Sequence, residues 1–231
     1  MVDILNYINL SQTASSINTH LTVADEFCEN YKNINTKEQE SFLRHYIINN
    51  SPFLFKKYPL LFEQITQYLA DKLEINASEV KLIGSAKTGF SISYPPNYGN
   101  PFTQNSDLDF SIVSEDIFIQ LEEEFNSWAE QYRTNVINAK TEYVKNIWDA
   151  NLIEVPKYQL KNGLIDTYKI PNWNEFPIAK TINNSLSLIV LHLKNKYSIE
   201  VKGASARVYR SWKTFERQIK INTTKILTEV K

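Results

Sequence analysis

The stretch Asp107-Leu108-Asp109-Phe110-Ser111-Ile112-Val113 decides the fold. Polar and apolar residues alternate with the two-residue period of a strand, so Asp107, Asp109 and Ser111 share one face while Leu108, Phe110 and Ile112 share the other. Upstream, Val80, Leu82 and Ile83 form a short aliphatic segment ending at Gly84-Ser85, which reads as a buried strand running into a turn. Between these strands, Ser91 to Ser106 contains Tyr94-Pro95-Pro96-Asn97-Tyr98-Gly99-Asn100-Pro101, and its Pro and Gly content predicts an irregular loop.

Both flanks are helical in pattern. From Asp3 to about Asn50 apolar positions recur at helical intervals, as in Ile17, Leu21, Ala24, Phe27, Cys28 and Tyr31, with a turn at Asn33 to Thr36. Pro59 interrupts or restarts a helix, and Leu61, Ile65, Tyr68, Leu69 and Leu73 line one stripe of the segment that follows. On the C-terminal side a long helical register starts near Glu115 and runs on loosely to Trp148. The segment from Asn151 to Pro177 is broken by Pro156, Gly163, Pro171 and Pro177 and reads as loops, with one short strand around Leu164 to Ile170. A helix at Ile182 to Leu193 follows, then a β-hairpin made of Ser198 to Lys202, a turn at Gly203 and Ala204 to Trp212. A polar helix from Thr214 to about Val230 closes the chain. The expected architecture is α+β (α/β): a mixed sheet with flanking helices. A helical N-terminal region, 1–76, packs on a core spanning 77–231, with no independent second domain.

Composition narrows the function classes. The 231 residues carry 25 Lys and Arg against 26 Asp and Glu, so the net charge of 25 − 26 = −1 gives no global attraction to nucleic acid. The single Cys28 excludes a disulfide framework or a cysteine zinc cluster and reads as a small buried apolar residue. His20, His45 and His192 lie in no HxxxH or HExxH spacing and read as ordinary helix residues. No apolar run approaches the ~20 residues of a membrane span and no leader pattern opens the chain, so a cytoplasmic protein is expected.

Two features together carry chemistry. Gly84 lets backbone approach a ligand closely, and Ser85 offers a hydroxyl and an N–H to phosphate oxygens. Asp107 and Asp109 project the same way from one strand and supply hard oxygen donors suited to Mg²⁺ carrying substrate phosphates. A pair of such ions lowers the pKa of an attacking hydroxyl and neutralises the charge on a leaving pyrophosphate. Lys87, two residues after Ser85, is a candidate triphosphate contact or a solvated lysine, and Lys194 and Lys196 are further candidates. Tyr94 or Tyr98 could stack on a nucleobase, or the loop could be rigid surface. The C-terminal group Arg207, Arg210, Lys213, Arg217, Lys220 and Lys225, interleaved with Tyr209, Trp212 and Phe215, suits RNA or DNA contact. It equally suits a helix with aromatics inward and cations outward. The run Glu122-Glu123-Glu124 reads as a solvated helix face.

Leu82-Ile83-Gly84-Ser85 followed by Ser106-Asp107-Leu108-Asp109-Phe110-Ser111-Ile112-Val113 resembles the signature of the polymerase-β-like nucleotidyltransferase superfamily, over about Val80 to Val113. Its members include minimal nucleotidyltransferases, poly(A) and CCA-adding enzymes, and bacterial oligonucleotide-signal synthases related to cGAS. The resemblance implies ATP or another nucleoside triphosphate as substrate, two Mg²⁺ or Mn²⁺ ions per site, and Gly84, Ser85, Lys87 and Ser106 around the nucleotide. It also implies a third carboxylate on a later strand. Glu200 in Ile199-Glu200-Val201 is the first choice, Asp166 the second and Glu154 the third. The implied reaction is template-independent transfer of a nucleotide to a hydroxyl. One outcome is a cyclic or linear oligonucleotide signal for an effector protein in anti-phage defence, primed on another nucleotide or on Ser211, Thr214, Thr223, Thr224 or Thr228. The alternatives are modification of a partner toxin or tRNA, and a catalytically idle nucleotide-binding module. The spacing 107 − 84 = 23 exceeds that of the minimal enzymes.

Overall fold

A computed structural model describes residues 10–17 and 23–230. Nine α-helices and four strands follow in order among these residues: α1 (Gln12–Ser16), α2 (Ala24–Asn33), α3 (Thr36–Leu43), α4 (Pro59–Leu73), β1 (Val80–Ile83), α5 (Ser85–Thr88), β2 (Asp107–Val113), α6 (Glu115–Arg133), α7 (Glu142–Glu154), β3 (Leu164–Asp166), α8 (Pro177–Tyr197), β4 (Gly203–Tyr209) and α9 (Trp212–Glu229). The fold is α+β. Its four-stranded sheet has the order β1-β2-β4-β3. β1 and β2 are antiparallel, β2 and β4 parallel, and β3 and β4 antiparallel.

The register sorts the sheet into two faces. Val80, Leu82, Leu108, Phe110, Ile112, Ile165, Ala206 and Val208 lie in the main hydrophobic cluster with α4, α6 and α8, where Leu69, Leu121, Trp128, Ile182 and Leu186 are buried. Burying such side chains stabilises by about 1.5–3 kcal/mol each, which makes this face the main anchor of the sheet. The opposite face changes character along its length. Asp107, Asp109 and Ser111 of β2 align with Gly203, Ser205 and Arg207 of β4. One step further, Val113, Leu164 and Tyr209 enter a second apolar cluster with Phe27, Phe42, Phe90 and Phe215. The helices around residues 24–48 and α9 therefore cover one end of this face and leave the carboxylate end uncovered.

Local signals explain most boundaries. α3 starts at an Asn35 capping box with Glu38, and Pro59 sits in the first turn of α4. Glu124 is buried within the helix expected to be solvated there. Its two oxygens accept from the Ile178 and Ala179 N–H groups at the start of α8, at 2.7 and 3.0 Å, a use of charge that complements the helix dipole.

Three expectations are corrected. The register from Glu115 to Trp148 is two helices, interrupted at residues 134–141, where Asn135 has a positive φ of 57°. Asn151 to Pro177 begins as helix: α7 runs to Glu154 and passes through a π-turn at Val155–Gln159 before β3. No hairpin forms at 198–212. Ser198 caps α8 in the left-handed region, the next residues connect, and Gly203 opens β4 instead of turning. β4 pairs with β2 because α8 returns the chain across the sheet, the crossover a parallel pair requires. Leu21 and His20 lie outside the described residues. Among the described residues no helix is long and apolar enough to cross a membrane.

Candidate functional site

The pairing of Ile83 with Asp109 sets the Gly84-Ser85 turn against the second carboxylate. Gly84 has φ of 71°, and a Cβ placed there would lie 2.6 Å from Asp109 Oδ2. Only glycine permits both the backbone angle and the approach. Ser85 then opens the four-residue α5.

Asp109 lies at the bottom of this site. Burial pushes its carboxyl above the usual range, and the neighbouring Asp107 and Asp166 add to the rise. The Ser205 hydroxyl, which donates to Asp109 Oδ1 at 3.2 Å, and Arg207 oppose it. Asp107 is more open, with Lys202 Nζ 3.8 Å from its Oδ2. Glycine again lies beside a carboxylate here: a Cβ on Gly203 would be 3.3 Å from Asp107 Oδ1. Asp107 and Asp109 thus stand together with glycine backbone close to both.

Asp166 comes to the same face, from the edge strand β3. Its side chain is 7% exposed and forms a two-point ion pair with Arg207, Nε to Oδ1 at 2.6 Å and Nη2 to Oδ2 at 3.0 Å. Gln159 Nε2 donates to Oδ2 at 2.8 Å and the Tyr168 hydroxyl at 3.4 Å. Burial works against the charge of Arg207, but the bond to Asp166 and its field outweigh this and hold the guanidinium ionised.

Other candidates are placed elsewhere. Glu200 is exposed, lies on the connection before β4 and pairs with Lys194 at 3.4 Å, so the first-choice third acid is not on a strand. Glu154 ends α7, exposed, with Lys169 at 3.8 Å. Lys87 points away from the turn. Its ammonium is buried and donates to the backbone carbonyls of Ile48 and Asn50, and burial, helped by Lys81, pushes its pKa down to about 8. Ser106 accepts from the Thr103 N–H at 3.1 Å and serves a turn.

The loop residues are also engaged. The Tyr98 hydroxyl donates to the Ala24 carbonyl at 2.7 Å, and Lys225 lies over the Tyr94 ring. In the basic cluster, Arg210 binds Glu122, Arg217 the Asn162 carbonyl and Lys220 Glu40. Arg217 and Lys220 tie α9 to the body of the protein, and Arg210 ties the segment before it to α6. The candidate priming hydroxyls are committed as well: Ser211 caps α9, Thr214 faces Ser211, Thr224 bonds Tyr31, Thr228 donates to the Lys225 carbonyl and Thr223 is buried.

No family model, curated protein or solved structure matches this chain. Two adjacent carboxylates fit one Mg²⁺ or Mn²⁺, which is bound through one or two carboxylates together with substrate phosphates and water. A two-ion centre built on three acids does not fit. Both Asp166 oxygens are already taken, Glu200 and Glu154 have other partners, and among the described residues no group of three or more acids, histidines or cysteines is arranged to hold a metal. Of the two polar neighbours, Ser205 escaped the sequence reading, and Arg207 was read with the C-terminal basic cluster and not with this site. The signal was available, since Gly203, Ser205 and Arg207 alternate with Ala204, Ala206 and Val208 as Asp107 and Asp109 do with Leu108 and Phe110.

Proposed function

We propose that this protein is a metal-dependent nucleotidyltransferase that moves a nucleotide from a nucleoside triphosphate to a hydroxyl. The observation that carries the reading is the approach of the Gly84-Ser85 turn to Asp109, with Asp107 two residues away on the same face. An Mg²⁺ or Mn²⁺ ion, when bound, supplies charge neutralisation of the phosphates and of the leaving pyrophosphate. Asp107 and Asp109 hold that ion, and the bare backbone of Gly84 lets the triphosphate come close. The Ser85 hydroxyl, at the head of α5, donates to a phosphate oxygen in this reading. Orienting the α-phosphate in line with the acceptor is the main contribution of such a site. The acceptor oxygen bonds to the α-phosphorus, the bond from that phosphorus to the bridging oxygen breaks, pyrophosphate leaves with the electron pair, and the hydroxyl proton passes to water.

The acceptor is best read as a separate molecule, because the C-terminal hydroxyls have partners or are buried. A second nucleotide gives an oligonucleotide signal of the kind the sequence resemblance associates with anti-phage defence. A toxin or tRNA acceptor gives a minimal transferase. A second reading, nucleotide binding without transfer, draws on the pairing of Asp166 with Arg207.

The test is incubation of the purified protein with each α-³²P-labelled NTP and dNTP plus Mg²⁺ or Mn²⁺, with and without tRNA, against Asp107→Ala/Asp109→Ala. Labelled product that disappears in the variant is the expected result. Nucleotide binding without product under any condition selects the second reading.

A further inference from the structure

We infer that the site holds one divalent cation, and that the Arg207 guanidinium supplies beside it the positive charge a second cation would bring. This rests on the nucleotidyltransferase reading above and deepens it.

Charge balance is the first argument. Asp107, Asp109 and Asp166 without a partner would put three negative charges on one face of the sheet. Arg207 sits on β4 between the strands that carry them and cancels Asp166. The remainder is Asp109 and Asp107, the latter with only the exposed Lys202 at 3.8 Å, and these two carboxylates match a single divalent ion. Neighbouring strands are about 4.8 Å apart, so β3 lies two such spacings from β2, with Arg207 filling the interval. A bidentate pair of this geometry is a strong charge-assisted contact and resists replacement by a metal.

Position is the second argument. Arg207 pairs directly with Asp166 and aligns with Ser111, one pair beyond Asp109 and Ser205 on the same face. The ion pair engages Nε and Nη2 of Arg207 and leaves Nη1 outside it, while the side chain remains 36% exposed. Asp166, itself held by Gln159 and Tyr168, thus fixes the cation, which has the Tyr209 hydroxyl as a further neighbour, and its exposed part can meet a phosphate oxygen, a task to which the planar guanidinium is suited.

The experiment counts metal. Native mass spectrometry of the full chain with Mn²⁺ and the α,β-methylene analogues of ATP and GTP reads ions per chain, and calorimetry reads nucleotide affinity. The wild type should carry one Mn²⁺ per bound nucleotide. Arg207→Gln/Asp166→Asn, which leaves no unpaired buried charge, should keep that single ion and bind nucleotide about tenfold more weakly, the loss of one charge-assisted hydrogen bond. Arg207→Lys should recover part of the affinity. Two Mn²⁺ per chain in the wild type would overturn the inference and leave the transferase reading standing. Wild-type affinity in the double variant would remove the role given to Arg207. Failure to bind either nucleotide or Mn²⁺ would end the transferase reading, and this inference with it.

Discussion

Asp109 faces the Gly84 turn with the Ser205 hydroxyl as its hydrogen-bond partner, whereas Asp166, two strands away on the same face, has its oxygens bound by Arg207, Gln159 and Tyr168. Burial raises the carboxyl of the first above its ordinary range. The second is more deeply enclosed, and both of its oxygens are hydrogen-bonded. The difference lies in the next strand: β4 presents a serine to Asp109 and an arginine to Asp166. A charged group kept without a cation in a folded protein costs stability, and the place where that cost is tolerated is the place to look for function.

The largest break in this comparison comes from Asp166→Ala. It strands a partly buried guanidinium and should cost about 3 kcal/mol, read as a lower urea midpoint at unchanged slope. Gly84→Ala should follow at about 2 kcal/mol, because the residue adopts a positive φ and the new Cβ meets Asp109 Oδ2. It should also abolish metal and nucleotide binding, which separates it from Asp166→Ala. Asp109→Asn should act in the opposite direction and raise the thermal midpoint at neutral pH. The sign follows from the raised pKa: between the unfolded and folded values the native state holds the extra proton, so ionisation above the folded value costs stability. The advantage of the Asn variant should shrink as pH falls through the raised pKa of Asp109, and melting curves across that range check it. The smallest effect belongs to Glu200→Gln, which removes an exposed pair with Lys194, should cost no more than about 0.5 kcal/mol, and should leave metal binding unchanged.

Much of the half of the sheet around Asp109 was legible in the sequence. Period-two alternation marked 107–113, the aliphatic run marked 80–83, and both strands form at those bounds. The half around Asp166 was legible only as a short strand with a candidate acid. Ile199-Glu200-Val201 has the pattern of a strand edge, but a pattern does not say which strands pair, and the parallel partner of β2 starts at Gly203. Lys87 shows a second limit. Sequence distance from Ser85 made it a phosphate candidate, while the direction of its side chain was settled by carbonyls at Ile48 and Asn50, far upstream in the chain. Arg207 was read with the basic residues of the following helix, although its alternation belonged to the strand.

The parallel pairing of β2 with β4 also bears on synthesis. Asp109 and its partner Ser205 are 96 positions apart, so at roughly 5–20 residues per second a ribosome takes on the order of 5 to 20 s to supply the second after the first. Throughout that interval the nascent chain carries the two acids without the strand that pairs beside them, and the candidate site is incomplete. Because β4 closes the sheet, the candidate centre comes into being only when the C-terminal part of the polypeptide has emerged.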